Sequence, residues 1–142
     1  MSVEQKVLPE KHGVVFALLH EGKIQLKKRM KKGEFEGKII IPGGGANADE
    51  TLEEALLREI KEEYGVDGRV YKKLGTYPNI ENNGTLNIRH LYLVTEWEGE
   101  LSDPEKVNIH LEIPLDEAFD VCQHPLTQIF LQRIKDELSR QN

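Results

Sequence analysis

The stretch 43–66, GGGANADETLEEALLREIKEEYGV, constrains this chain more than any other. Three glycines lead into a segment in which Thr51 and Glu54 are spaced as a capping box and Gly65 stands where a left-handed stop is needed, so a helix is expected between them. At about 100° per residue, Leu52, Leu56, Leu57, Ile60 and Tyr64 form a stripe that must face a core, and Glu59, Glu62 and Glu63 occupy an adjacent arc of roughly 100°. These carboxylates therefore lie at the edge of the buried face. There they repel one another, resist desolvation and oppose the helix macrodipole. Two readings are open. One is a solvated face with partners along the helix, which suits Glu53 and Glu54. The other is a site for a hard divalent cation, Mg²⁺ or Mn²⁺, which prefers oxygen ligands and relieves the repulsion.

The rest of the composition narrows the class. A length of 142 residues suits one domain over 1–142 with one core. No apolar run approaches a membrane span, and the N-terminal residues MSVEQKVLPEKHG hold no apolar stretch suited to a signal peptide. With Cys122 the sole cysteine, no internal disulfide can form, and a cytoplasmic, reducing setting is expected. The net charge of −6 argues against duplex nucleic acid as a partner. It leaves room for a small anionic substrate, because a bound metal supplies local positive charge.

Along the chain, 1–11 reads as a loose arm or an edge strand, 14–19 as a buried strand, and 23–29 as its hairpin partner across Glu21-Gly22. Alternation puts Ile24 and Leu26 on one face of that partner, with Lys28 continuing it inward, and Lys23, Gln25 and Lys27 on the other. The charged segment 30–38 is a loop. With Lys27, Lys28 and Arg29 it is either a solvated charge run or a rim that meets substrate phosphates. Residues 39–41 form a short strand ended by Pro42. Residues 70–77 and 85–97 read as two long strands joined at Asn82-Asn83-Gly84, a strong turn signal. In the second, His90 and Tyr92 share one face and Leu91 and Leu93 the other, as in a sheet covered on both sides. The acidic loop 98–106 precedes a short strand at 109–113 and a helical turn at 114–121. A final amphipathic helix over 125–140 has Ile129, Phe130, Ile134 and Leu138 on its core side.

The spacing from Gly44 resembles the Nudix box: glycine, five residues, glutamate, seven residues, Arg-Glu, an apolar residue, any residue, Glu-Glu, any residue, glycine, an apolar residue. Gly44, Glu50, Arg58-Glu59, Ile60, Glu62-Glu63, Gly65 and Val66 match every fixed position. The resemblance implies an α/β fold, an α/β/α sandwich around a mixed, partly closed sheet. It also implies metal-dependent hydrolysis of a nucleoside diphosphate linked to another group. Carried over by position, Glu59, Glu62 and Glu63 hold metal and Gly43 offers its backbone carbonyl. Arg58 orients the glutamates by ion pairing, and Glu50 supports the loop–helix geometry. Glu59 matches the proposed base of the MutT branch, although family members differ in where the base sits. Trp97-Glu98-Gly99-Glu100 followed by Glu105 is similar to MutT, which makes Glu105 a further metal ligand. Where the MutT pattern has a purine-reading asparagine, Thr127 stands with Gln128 beside it, a departure from the pattern.

The resemblance implies a Mg²⁺- or Mn²⁺-dependent enzyme that cuts an NTP or modified dNTP into a nucleoside monophosphate and pyrophosphate. Lys28, Arg29, Thr127 and Gln128 are its candidate substrate contacts. The rival within the class is an ADP-ribose or nucleotide-sugar hydrolase. From another class, the rival is a catalytically silent nucleotide sensor, against which the full set of box glutamates argues. Monomer and homodimer are both open.

Overall fold

The computed structural model describes residues 9–33 and 35–140. The expectation for 1–11 thus falls largely outside the described residues. The described part contains strands β1 (Glu10–His20), β2 (Lys23–Lys28), β3 (Ile39–Ile40), β4 (Gly43–Gly45), β5 (Asp67–Ile80), β6 (Leu86–Glu98) and β7 (Ile109–Pro114). The helices are α1 (Leu52–Tyr64), α2 (Leu115–Val121) and α3 (Pro125–Arg140). The mixed sheet runs β3-β2-β1-β6-β5, with β4 also paired to β1 and β7 to β2. It lies between α1 on one face and α2 with α3 on the other, the α/β/α sandwich that the box implies.

β1 shows why its sequence is apolar without interruption. Val14, Phe16 and Leu18 pack with Leu56, Ile60 and Tyr64 of α1, while Val15, Ala17 and Leu19 pack with Leu131 and Ile134 of α3. A strand covered on both faces has no solvent side to mark with polar residues. β1 pairs in parallel with β6 from Glu10↔Leu86 to Leu18↔Val94, so the segment between them crosses over and carries α1 across one face. The β1–β2 hairpin turns at Glu21 and Gly22, both at positive φ (51° and 77°).

α1 is capped as expected. Thr51 accepts from the Glu54 amide at 3.1 Å, Glu54 accepts from the Thr51 amide at 3.0 Å, and Gly65 closes the helix at φ 72°. β5 extends at both ends beyond the range expected for it, β6 is shifted by one residue, and the two pair through a ladder with bulges near Val70 and Leu74.

Three expectations change. Lys27 is buried, not outward: α1 covers its face of β2 through Glu63, while Ile24 and Leu26 on the other face pack with α3, so neither face is free. Ile129 is half exposed, and Thr127 and Leu131 take the inward positions on α3, because its core stripe follows 127, 130, 131 and 134. The glycine run is not a free loop. It forms β4, against β1.

Candidate active site

β4 lies antiparallel on β1 with Gly43↔Val15, Gly44↔Val14 and Gly45↔Gly13. Its approach is too close for side chains. A Cβ on Gly43 would run into the Val14 carbonyl oxygen and lie 3.1 Å from Val15 Cα. A Cβ on Gly44 would overlap the carboxylate of Glu59, which lies directly over this backbone. The glycines thus let the acidic edge of α1 settle against β4.

Arg58 ties this edge together. Its guanidinium donates to Glu50 in a fork, Nε to Oε2 at 3.0 Å and Nη2 to Oε1 at 2.6 Å. It also reaches Glu59 Oε1 at 2.9 Å, Glu62 Oε2 at 3.2 Å and the Gly45 carbonyl at 2.8 Å. Glu50 further accepts from the Asn47 amide at 2.8 Å, so both its oxygens are committed to holding the loop on the helix. The Arg58 fork and this amide hold the Glu50 carboxyl down at about 2.

The three box glutamates differ in depth. The side chain of Glu62 is 47% exposed, that of Glu59 13% and that of Glu63 6%. Burial raises the Glu59 carboxyl above its ordinary value, against the opposing pull of Arg58. Burial pushes Glu63 up to about 7, with the Lys27 ammonium acting against it and the charges of Glu59 and Glu105 adding to it. Lys27 Nζ donates to Glu63 Oε1 at 2.5 Å, while Glu63 Oε2 is buried with no hydrogen-bond partner among the described residues. Glu105 is exposed on the loop after β6, close enough for its charge to act on Glu63. Among the described residues, no three acidic, histidine or cysteine side chains are gathered tightly enough to cage an ion as they stand. Arg58 and Lys27 each hold carboxylates that a cation would need. The donor set is nevertheless the one a hard cation requires: crowded carboxylate oxygens, one of them buried and unsatisfied.

Beside β4 opens a cavity of about 250 Å³. Lys27, Arg29, Arg89 and Thr127 line it, and no acidic side chain does among the described residues. Phe35 forms an aromatic wall, with the Arg89 guanidinium 5.9 Å from its ring centroid and His124 packed at 4.8 Å. His12, also on the lining, meets His90 Nε2 through Nδ1 at 2.9 Å. Burial, with Lys73 and His12 nearby, lowers His90 to about 4.

The NUDIX domain profile matches residues 10–139. This chain belongs to the Nudix family. The 8-oxo-dGTP diphosphatase of Proteus vulgaris is 33% identical over 97 residues, 68% of this chain and 78% of that protein. The ADP-ribose pyrophosphatase of Methanocaldococcus jannaschii is 47% identical over 57 residues, which are 40% of this chain and 33% of that one, so the match spans about a third of that relative's length. The crystal structure of a MutT Nudix hydrolase from Burkholderia pseudomallei superposes with a TM-score of 0.75 at 27% identity, covering 88% of this chain and 98% of that one. The Nudix box is therefore the strand–helix unit just described.

Of the candidate substrate contacts, the structure brings Arg29 and Thr127 to the cavity and leaves two away from it. Lys28 is half-buried and off the lining, because the strand turns its neighbour Lys27 inward. Gln128 donates its amide to the Phe119 and Cys122 carbonyls, which ties α2 to α3 and takes the side chain out of the site. Sequence reasoning missed Phe35 and Arg89, and placed Lys27 in the basic rim without its burial against Glu63. Phe35 carried a usable signal, as the one aromatic residue in the charged segment 30–38. No helix among the described residues is long and apolar enough to cross a membrane.

Proposed function

We propose that this Nudix protein hydrolyses the diphosphate linkage of a nucleoside diphosphate derivative, with an NTP or modified dNTP as substrate and a nucleoside monophosphate and pyrophosphate as products. One observation carries the reading: the half-buried carboxylate of Glu59 lies over the glycine strand, and the buried carboxylate of Glu63 is paired with Lys27, beside a cavity whose charged lining is all cationic. The 8-oxo-dGTP diphosphatase relative, matched over most of its length, supports the choice of substrate class.

Glu59, Glu62 and Glu63, with the Gly43 carbonyl and Glu105, are the groups that would hold Mg²⁺ or Mn²⁺. Bound there, a divalent cation supplies the positive charge that neutralises the diphosphate oxygens and the leaving group. The chain's own residues do the rest. Arg29 and Thr127 receive the nucleotide at the cavity, with the Phe35 face available for a base. Arg58 holds Glu59 in place. Glu59, whose proton affinity is raised by burial, takes the proton from the attacking water. The water displaces one phosphate from the other, and no covalent enzyme intermediate is required.

The second reading, an ADP-ribose or nucleotide-sugar pyrophosphatase, rests on the 47% match to the M. jannaschii enzyme. A nucleotide panel with and without Mg²⁺, resolved for pyrophosphate against sugar-phosphate release, separates the two. Metal-dependent pyrophosphate release from an NTP or dNTP is expected. Turnover confined to ADP-ribose or nucleotide-sugars would replace the first reading with the second. No metal-dependent turnover on any member would sink both and leave a sensor.

A further inference from the structure

Lys27 and Glu63 form an ion pair that is almost sealed from solvent, with 4% and 6% of their side chains exposed. As a stabilising device it is poorly made. A buried pair repays its desolvation only when the remaining lone pairs are satisfied, and Glu63 Oε2 has no partner among the described residues. It is also held differently from the rest of the acidic edge. Glu50, Glu59 and Glu62 share Arg58, whereas Glu63 among the described residues is hydrogen-bonded by the Lys27 side chain alone. Lys27 has a second outlook: it is one of the residues that line the cavity, where its neighbours include no acidic residue among those described.

We propose that Lys27 is a displaceable internal counter-ion. It holds Glu63 aimed into the acidic edge until a divalent cation takes that carboxylate, and its ammonium then turns into the cavity to join the cationic lining that receives the substrate. The proposal rests on the reading of this edge as a divalent-cation site. Its physical basis is competition. An ammonium and a dication cannot share one carboxylate without repulsion, and lysine, a point charge on a flexible four-carbon stem with a single bond holding it here, is the group that can leave. The cavity is the adjoining space that Lys27 already lines. Lys27 is thus a positioning residue that couples occupation of the acidic edge to the charge of the cavity.

The test is Mn²⁺ binding to the full chain without nucleotide, at pH 8, by electron paramagnetic resonance. Removing the competitor in Lys27→Met tightens Mn²⁺ binding by about 5-fold or more, within the usual range of coupling between sites. The same variant raises KM for the nucleotide. A residue needed only to stabilise the fold would instead weaken both. A second measurement uses the wild-type chain: with lysine labelled at Cε, the Lys27 signal, assigned by its loss in Lys27→Arg, shifts on Mg²⁺ titration with the same midpoint as cation binding. Equal or weaker Mn²⁺ binding in a folded Lys27→Met, or a Lys27 signal unmoved at saturating Mg²⁺, overturns the proposal. If Lys27→Met does not fold, the labelled lysine decides. A wild-type chain that binds no Mn²⁺ and hydrolyses no nucleotide removes the underlying reading as well. Normal binding and turnover with an indifferent Lys27 removes this inference only.

Discussion

Three consecutive glycines in β4 should respond to alanine in three different ways. Gly44 is the informative one. Its φ is not in the left-handed region, so alanine meets no backbone penalty there. The obstacle is the Glu59 carboxylate, all three atoms of which a Cβ would approach inside the 3.0 Å that real Cβ atoms respect. That carboxylate is the far end of a flexible side chain, so it moves and the strand does not. It must retreat by roughly 1 Å, and a misplacement of that size at a reacting centre costs about 10²-fold in rate. This corresponds to about 2.7 kcal/mol of barrier. Stability should change by no more than about 1 kcal/mol. Gly43→Ala meets backbone instead, the Val14 carbonyl and Val15 Cα, so the ladder must shift, at about 1–3 kcal/mol of stability. Gly45→Ala meets nothing within 4 Å and serves as the control for both readouts. Pyrophosphate release at saturating Mg²⁺ gives kcat/KM, and thermal unfolding gives stability. If a folded Gly44→Ala keeps kcat/KM within about threefold of wild type, the placement of Glu59 over Gly44 does not matter to the chemistry. If it loses as much stability as Gly43→Ala, the backbone rather than Glu59 has yielded, and the reasoning fails.

Three further outcomes follow from the same geometry. Glu59→Gln and Glu63→Gln should each lose most of kcat while the far-ultraviolet circular dichroism stays native, and wild-type turnover in either would refute the site assignment. Arg58→Lys keeps the charge but not the fork that grips Glu50, Glu59 and the Gly45 carbonyl, so kcat/KM should fall about 10- to 100-fold despite the conserved charge; a near-silent Arg58→Lys would show that charge alone is enough. His90 is held neutral, with its pKa lowered to about 4 from an ordinary 6.5, so its contribution to stability is complete above pH 6.5 and is lost as pH falls toward 4. The stability difference between wild type and His90→Gln, from urea unfolding at several pH values, should therefore narrow by up to roughly 3 kcal/mol across that window, and a flat difference would count against a buried neutral imidazole.

The parts of this molecule that were legible in its sequence are those whose physics is local. α1 could be bounded because Thr51, Glu54 and Gly65 act within one helical turn, and its acidic edge could be placed because helical spacing is fixed. The Asn82-Asn83-Gly84 turn was legible for the same reason, with Gly84 at φ 85°. What stayed hidden depends on partners distant in the chain. Nothing near Glu10 reveals that β1 runs parallel to β6, because that pairing depends on an apolar face supplied 76 residues later, at Leu86. Lys27 was misplaced by a rule that holds only for strands with one wet face. α1, remote in sequence, covers the polar side of β2 through Glu63 and turns it into interior. The cavity was hidden for the same reason, since Arg29, Arg89 and Thr127 come from three separate elements or their ends.

The two cations beside the acidic edge show how a cluster of like charges can be both stable and available. Arg58 is the fixed one. It makes five hydrogen bonds at once, to three carboxylates and a backbone carbonyl, so letting go of any one glutamate leaves the others in place. Its planar fork loses little entropy per bond formed, which suits a brace. Lys27 is attached through one bond to one oxygen, and it is buried, where a lone contact is strong but its loss is all-or-none. A site braced only by arginine would hold its carboxylates so firmly that a cation could gain little by replacing it. A site held only by lysines would lose its shape whenever a cation entered. Dividing the task lets Glu50 and Arg58 keep α1 seated on β4 while Glu63, the deepest of the three box glutamates, remains open to exchange. That division also explains why burial alone does not rank these residues by function: Glu50, with one eighth of its side chain exposed, is as enclosed as Glu59, yet its oxygens are already fully used.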